Sequence, residues 1–242
     1  MAMLVLSLIP AALALVAALT QSPFLNVAES VHKNFTPLRP PAVPLAVRSP
    51  YLSTWTSTHE KETLDGHWPI FWTGAEVGWS GLIHVDNTTY EWMGYASSAL
   101  PNIEPVTTEL IQYTATKTAY TLSAGPVGLN VTFLTPVTLD DFRRQSLPAS
   151  YLSLSFWSLD QRNHSVNLYS DTDGSWVSGD ANSRIQWSMG LNARKREGED
   201  HIVSHIVEKG TQGRFSEWAD RAEWGQLLWS TAMVLLIILQ AS

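Results

Sequence analysis

The chain has 242 residues, a formal net charge of −7 and no cysteine. These values exclude a disulfide framework, a cysteine-ligated metal site and a thiol nucleophile, and the acidic balance argues against binding of nucleic acid through phosphate contacts. With 45% hydrophobic and only 15% charged residues, the chain can bury the core of a globular domain.

The N-terminus has the composition of a secretory signal peptide. Residues 1–20 contain no charged side chain, and residues 4–19 are apolar apart from Ser7 and Pro10. This run is shorter than the roughly 20 residues of a membrane-spanning helix. We therefore predict a signal-peptide helix over residues 1–20, an extracellular location and no stable membrane span after cleavage.

Glycosylation acceptors support the same location. The N-x-S/T pattern occurs four times, at Asn34, Asn87, Asn130 and Asn163. One such tripeptide arises often by chance, but several behind a signal-like start favour a secreted glycoprotein.

A proline-rich segment follows the predicted signal peptide. Its prolines are Pro37, Pro40, Pro41, Pro44 and Pro50. Because proline fixes φ and removes a backbone donor, this segment is predicted to be extended rather than helical. We interpret residues 21–78 as a proline-rich strap and lead-in segment that crosses the surface of the following domain.

From residue 79 onward, apolar and polar residues alternate with the period of a β-strand. The clearest examples are residues 127–133, 151–156, 166–170 and 185–189. Short strands separated by Gly, Pro, Asn and Asp are typical of an antiparallel sandwich. We predict an all-β fold, with an antiparallel β-sandwich over residues 79–232 and Asn130 on its outward face. Residues 192–201 are predicted to be an exposed hairpin loop.

The C-terminal part gives two open interpretations. Phe215, Trp218 and Ala222 would share one face of a helix, although Trp224 and Gly225 interrupt that pattern, and residues 227–239 are apolar on every side. Residues 233–242 are interpreted as a divergent hydrophobic tail. The alternative treats residues 227–239 as a membrane or lipid-anchor attachment tail, with the small residues at 210–213 as the attachment site.

Residue patterns that resemble reactive or metal sites are weak. Ser30 and Lys33 match a Ser-x-x-Lys motif without its partner motifs, and His201 and His205 lie four apart without an identifiable third ligand. The Asp-rich turn at residues 171–174 has its glycine too early for an EF-hand loop. No catalytic residue, metal ligand or cofactor is therefore predicted.

Sustained stretches of the chain resemble the fungal extracellular glutaminase A family. The stretches that carry the resemblance are residues 35–55, 68–74, 78–82, 90–94, 144–148, 164–171, 174–180 and 222–225. The resemblance implies secretion and an N-terminal β-sandwich in a family whose full members hydrolyse L-glutamine to L-glutamate and ammonia. It also implies that the catalytic region lies downstream, beyond the point near Met233 where the resemblance ends.

The expectation is therefore an incomplete, non-catalytic sandwich region of a glutaminase A-like protein, inactive by itself. Its expected partner is the missing C-terminal catalytic domain, and an exposed sheet edge would favour self-association. The alternative is a secreted module that binds carbohydrate or cell-wall polymers through exposed tryptophans such as Trp68, Trp72 and Trp176.

Overall fold

The structure is a computed structural model that describes residues 40–58, 63–96, 100, 102–191 and 201–233. The predicted signal-peptide helix, the Ser30 and Lys33 pair and Asn34 lie outside these residues. So do residues 192–200 of the predicted loop and residues 234–242 of the predicted tail. The chain divides into two units, residues 1–40 and 41–242, and the description below concerns the second.

Strands are the main secondary structure of the described residues, as predicted. In chain order the strands are β1 (Ala42–Ser49), β2 (Leu52–Ser57), β3 (Ile70–Phe71), β4 (Trp79–Val85), β5 (Thr88–Met93), β6 (Ile103–Pro105), β7 (Thr107–Tyr113), β8 (Lys117–Ala124), β9 (Val127–Leu134), β10 (Tyr151–Ser158), β11 (Val166–Thr172), β12 (Ile185–Leu191), β13 (His201–Lys209), β14 (Glu217–Trp218), β15 (Arg221–Ala222) and β16 (Gln226–Met233). The helical elements described are α1 (Phe142–Gln145) and a 3-10 turn (Gly174–Trp176).

Two four-stranded sheets form the sandwich that the alternating pattern predicts. One has the order β10-β9-β8-β7 and the other the order β11-β4-β5-β6. Pairing is antiparallel except between β5 and β6, which run parallel. Smaller sheets are formed by β1-β2-β3, by β12-β13-β16 and by β14-β15.

The core lies between the two large sheets because their strands alternate in burial. In β9, Leu129, Val131 and Phe133 are fully buried, whereas Asn130 on the opposite face is half-buried. The β4 face meets them through Trp79, whose ring lies edge-on to Phe133 at a centroid distance of 5.3 Å. Period-two alternation therefore identified the buried face correctly.

The proline-rich segment is extended, as predicted, but the part that forms β1 is not a surface strap. Val43, Leu45 and Ala46 are almost fully buried and belong to the same core as β8 and β9. The register with β2 shifts between Pro44 and Ala46, which accommodates a residue that cannot donate a ladder hydrogen bond. The core thus combines residues from both sides of residue 78.

Two glycines are covered by tryptophan rings, one inside the sandwich and one outside. A Cβ atom on Gly81 would lie 2.2 Å from the ring of Trp92, which is completely buried. On the outer face, a Cβ on Gly128 would lie 2.4 Å from the ring of its cross-strand partner Trp157. Each ring occupies the space that a missing side chain leaves on the neighbouring strand.

The helical interpretation of Phe215, Trp218 and Ala222 is wrong. The segment forms the β14-β15 hairpin, in which Trp218 pairs with Arg221. Its two turn residues, Ala219 and Asp220, both have positive φ, at 50° and 60°. Consecutive left-handed residues reverse the chain as a type I′ turn does, and they cannot continue a helix.

The apolar run that begins at residue 227 starts inside a sheet. β16 (Gln226–Met233) pairs along its length with β13, so this part is a strand and not a detached tail. Within the part of the chain that the structure describes, none of the helices has the length and apolarity of a membrane span.

Candidate functional site

The 3-10 turn is fastened to the start of β4 by side-chain hydrogen bonds. Asp173 precedes the turn, and its Oδ1 accepts from the backbone N–H of Ser175 at 2.9 Å and of Gly78 at 3.2 Å. The indole of Trp176 donates to the Gly78 carbonyl at 2.8 Å. The Asp-rich stretch at residues 171–174 is therefore the end of a strand and a capped turn, which agrees with the sequence-based interpretation.

A single arginine joins this turn to the β14-β15 hairpin. Arg221 is only 7% exposed, and its guanidinium donates to the carbonyls of Ser175 at 2.7 Å and Glu76 at 3.0 Å. The guanidinium also lies 5.3 Å from the ring centre of Phe71. Burial lowers the pKa of Arg221 from its ordinary value. The guanidinium nevertheless stays charged at neutral pH, because arginine is a very strong base.

A buried carboxylate holds the other side of the hairpin. Glu223 accepts from the Ser178 hydroxyl at 2.8 Å and forms an ion pair with Lys209 of β13. Nearby, the backbone N–H of Asn182 holds the pKa of Asp180 below its ordinary value. The polar residues of the stretches 174–180 and 222–225 are thus brought together as a structural junction.

An exposed aromatic cluster stands on this junction. The rings of Tyr51 and Phe215 lie edge-on to Trp224, with centroid distances of 5.5 Å and 5.7 Å. Tyr51 also donates its hydroxyl hydrogen to Glu217, which raises the pKa of Tyr51. Phe215 is 77% exposed and has a positive φ of 56°, which is uncommon for a bulky residue. We call Tyr51, Phe215 and Trp224 the aromatic cluster.

The aromatic cluster borders a shallow surface cavity of about 240 Å³. Its lining residues are Gln212, Arg214, Phe215, Trp224 and Gly225. The Gln212 amide is fixed, because it accepts from the Gly225 N–H at 3.1 Å and donates to the Gly225 carbonyl at 3.2 Å. Aromatic faces beside planar polar groups can stack on a sugar ring, so binding rather than covalent chemistry is what this arrangement allows.

The tryptophans proposed for carbohydrate binding differ in exposure. Trp72 is 53% exposed, whereas Trp68 and Trp176 are half-buried. Trp176 packs edge-on with the core residue Trp79 at 5.4 Å, and its indole N–H is bonded to the Gly78 carbonyl. The sequence analysis did not predict the aromatic cluster. It included Trp224 only as part of the family-like stretch of residues 222–225.

The described glycosylation acceptors lie in two settings. Asn87 and Asn163 are exposed in turns. These turns adjoin each other, because the Asp86 N–H donates to the Ser165 carbonyl at 2.9 Å. Asn130 lies within β9, half-buried, and its Oδ1 has no hydrogen-bond partner among the described residues.

His201 and His205, which lie four residues apart in the sequence, both belong to β13. His205 is exposed, with its ring 6.4 Å from that of Trp187. Among the described residues, no three His, Cys, Asp or Glu side chains are grouped so that they could hold a metal ion.

Two known family models match parts of the chain. A family model described as Domain of unknown function (DUF5127) matches residues 116–241, and a second, Domain of unknown function (DUF4964), matches residues 12–105. The chain belongs to the DUF5127 family, and its fold is that of an all-β sandwich region. No solved structure matches it significantly.

Two curated relatives specify the protein to which such a region belongs. The chain is 44% identical to Glutaminase A of Aspergillus oryzae over 202 residues, which are 81% of this chain and 28% of the relative. It is 36% identical to Probable glutaminase/05536 of Arthroderma benhamiae, over 78% of this chain and 23% of that relative. The chain therefore corresponds to a glutaminase A-like N-terminal region and spans less than a third of these relatives.

Proposed function

We propose that this chain is a non-catalytic framework region of a secreted glutaminase-like protein, and that glutamine hydrolysis requires the part of the protein that follows it. The observation that carries the proposal is coverage: the match spans 81% of this chain but only 28% of the Aspergillus oryzae relative. A region of this size holds its own core and supplies a surface for its neighbour.

The polar residues in and next to the family-like stretches support a framework role. Arg221 is committed to two backbone carbonyls, and Glu223 to Ser178 and Lys209. Asp173 caps the 3-10 turn. Groups held in this way maintain the geometry of a junction.

The proposal is tested by an assay of ammonia release from L-glutamine. The purified chain is expected to release ammonia no faster than a heat-denatured sample, whereas the full-length Aspergillus oryzae relative serves as the positive control. A rate of ammonia release by the chain that is comparable to the rate of the positive control would contradict the proposal.

Secretion and N-glycosylation form part of the same proposal. The support is the apolar N-terminus at residues 1–20 and the acceptors Asn34, Asn87, Asn130 and Asn163. Asn87 and Asn163 are exposed in turns, where an attached glycan meets no neighbouring strand. In a fungal host we expect the chain in the medium, with one glycan lost in each of the variants Asn87→Gln and Asn163→Gln. An unmodified chain retained inside the cells would contradict this.

A second function, binding of polysaccharide, is favoured by the aromatic cluster. Its exposed ring at Phe215 and the adjoining cavity provide a stacking surface with fixed polar groups beside it. Retention of the chain on insoluble fungal cell-wall glucan or chitin is the test, with Phe215→Ala as the variant and Trp72→Ala as the control. Binding lost in Phe215→Ala and kept in Trp72→Ala is the expected result. Equal retention of all three proteins, or of none, would dismiss the cluster as a binding site.

A further inference from the structure

The sheet β12-β13-β16 has one apolar and one mostly polar face. The register places Trp187 of β12 opposite Val207 of β13, which in turn lies opposite Leu227 of β16. Side chains two residues apart point the same way. The face therefore also carries Ile185, Met189, Leu191, Val203 and Trp229, together with His205 opposite Met189 and with Lys209, which forms an ion pair with Glu223. Nothing in β12 carries a charge.

The opposite face of this sheet carries a network of polar side chains, together with Ile202, Ile206 and Leu228. Glu208 accepts from Gln186 at 2.8 Å and from Gln226 at 2.9 Å, and Ser204 and Ser230 share a hydrogen bond of 2.7 Å. Polar groups that pair across three strands are typical of a solvated surface. The contrast between the two faces indicates that the apolar face is the one built for packing.

Only part of the apolar face is covered. On the β16 side, Trp229 packs edge-on against the core residue Trp79, at a centroid distance of 5.7 Å. On the β12 side, Trp187 is 72% exposed and Met189 is 68% exposed. Contiguous apolar surface of this kind is rare on soluble proteins unless a partner covers it. We call Trp187, Met189 and the neighbouring Leu191 the β12 face.

The relatives indicate what covers the β12 face. More than two thirds of each curated relative lies outside the region that matches this chain. β16, the last strand described, belongs to the sheet that carries the β12 face and lies two strand spacings from β12, or roughly 10 Å. In a longer relative, the polypeptide that follows this region therefore leaves from beside the exposed face and reaches it through a short connection.

We propose that the β12 face is the docking surface for the portion of a glutaminase-like protein that follows this region in the longer relatives. The inference rests on the proposed framework function and adds the surface through which that function is exerted. The docked portion buries Trp187 and Met189 against its own apolar side chains and lies beside the exposed His205, which pairs across the strands with Met189.

The absence of cysteine from this chain makes an introduced thiol a clean probe, because it is the only thiol that the chain contributes. In the joined proteins the labelled site is identified by peptide mapping, so that thiols of the following portion are counted separately. Met189→Cys places the thiol on the β12 face. Leu110→Cys is the matched control, since Leu110 is also an exposed apolar residue of an edge strand but lies on β7 of the sandwich. Each variant is prepared as the full chain alone and as the full chain joined to the portion of Aspergillus oryzae Glutaminase A that follows the matched region.

Maleimide labelling rates and glutamine hydrolysis are measured on all four proteins. In the chain alone, both thiols are expected to react at the rate of an exposed cysteine. In the joined protein, Met189→Cys is expected to react at least about tenfold more slowly while Leu110→Cys is unchanged, since thiol reactivity follows access. Protection of Met189→Cys supports docking whether or not the joined protein is active, whereas inactivity contradicts only the framework function.

Three results would overturn the docking proposal. An active joined protein whose Met189→Cys reacts as fast as in the chain alone places the partner elsewhere and leaves the framework function intact. An inactive joined protein with both thiols fully reactive contradicts both proposals. Protection of Met189→Cys in the chain alone would show that something other than the following portion covers the β12 face. If the protection increases as the protein concentration is raised from 1 to 100 μM, the occupant is a second copy, which light scattering would verify. If the protection does not depend on concentration, the occupant is a segment of the same chain.

Discussion

His164 links two turns that lie far apart in the sequence. Its Nδ1 lies 2.8 Å from Asp86, in the turn between β4 and β5, and its Nε2 lies 2.8 Å from Asp160, in the connection between β10 and β11. Only the protonated ring can donate from both nitrogens. The hydrogen bonds that His164 donates to Asp160 and Asp86 therefore raise the pKa of His164. The same bonds lower the pKa of Asp160 to about 2 and also lower that of Asp86.

The first prediction is a pH dependence of this link. A raised histidine pKa gives stability that is present below the unfolded value of about 6.5 and is lost as pH rises through the folded value. Lowered aspartate pKa values give stability present above about pH 4 and lost as pH falls toward 2. The urea midpoint of the wild type should therefore exceed that of His164→Gln by more at pH 5.5 than at pH 8.5.

Histidine resonances in proton NMR provide the direct check of the same link. One resonance should titrate above the ordinary histidine pKa, vanish in His164→Gln and shift to a lower pKa in Asp160→Asn and Asp86→Asn. A His164 resonance that titrates at its ordinary pKa in the wild type would show that the two carboxylates do not hold the ring in solution.

At the scale of elements, the β14-β15 hairpin depends on Arg221. In Arg221→Ala, the carbonyls of Ser175 and Glu76 lose their donors. The free energy of unfolding should fall by about 1–3 kcal/mol, because buried acceptors left unpaired are costly. Arg214→Ala is the matched control: Arg214 is exposed, and its loss should change stability by less than about 0.5 kcal/mol. Equal urea midpoints for both variants would show that Arg221 does not fasten the hairpin.

The pair Gly81 and Trp92 gives a prediction about packing between β4 and β5. Gly81→Ala would place a methyl group 2.2 Å from a completely buried ring, and the resulting strain should lower stability by about 1–3 kcal/mol. In Gly190→Ala the new Cβ would lie 3.3 Å from the flexible end of Ile206, so thermal unfolding should hardly change. A Gly81→Ala protein as stable as the wild type would mean that the indole of Trp92 lies elsewhere.

Sequence patterns predicted the strands better than their connections. The alternation in residues 127–133 identified both β9 and its buried face, because a half-buried strand repeats every two residues. The β14-β15 hairpin was missed because its turn residues, Ala219 and Asp220, are not the Asn-Gly or Gly-Gly pairs that mark a type I′ turn.

Contacts that depend on tertiary structure had no local signal. His164 and Asp86 are 78 residues apart, and no spacing rule connects them. The aromatic cluster combines Tyr51 with Phe215 and Trp224 across a sequence gap more than twice as long. Burial of Leu45 in the core also escaped prediction, because the prolines around it indicated an extended conformation but not what that segment would pack against.

At the scale of the whole molecule, the sandwich has its own core, whereas the β12 face and the aromatic cluster remain open to solvent. This distribution agrees with a region that folds around its own hydrophobic residues and completes its surface with a neighbour. Similarity to two longer glutaminases supports a glutaminase A-like N-terminal region, and the proposed docking on the β12 face describes how such a region would contact the rest of those relatives.

The central claim is that this region supports glutamine hydrolysis only together with the portion that follows it. The most direct measurement is ammonia release by the chain alone, by the following portion of the Aspergillus oryzae relative alone, and by the two joined. The account predicts a rate at background for the chain alone and the highest rate for the joined protein. A chain that hydrolyses glutamine by itself at the rate of the full-length relative would contradict the account.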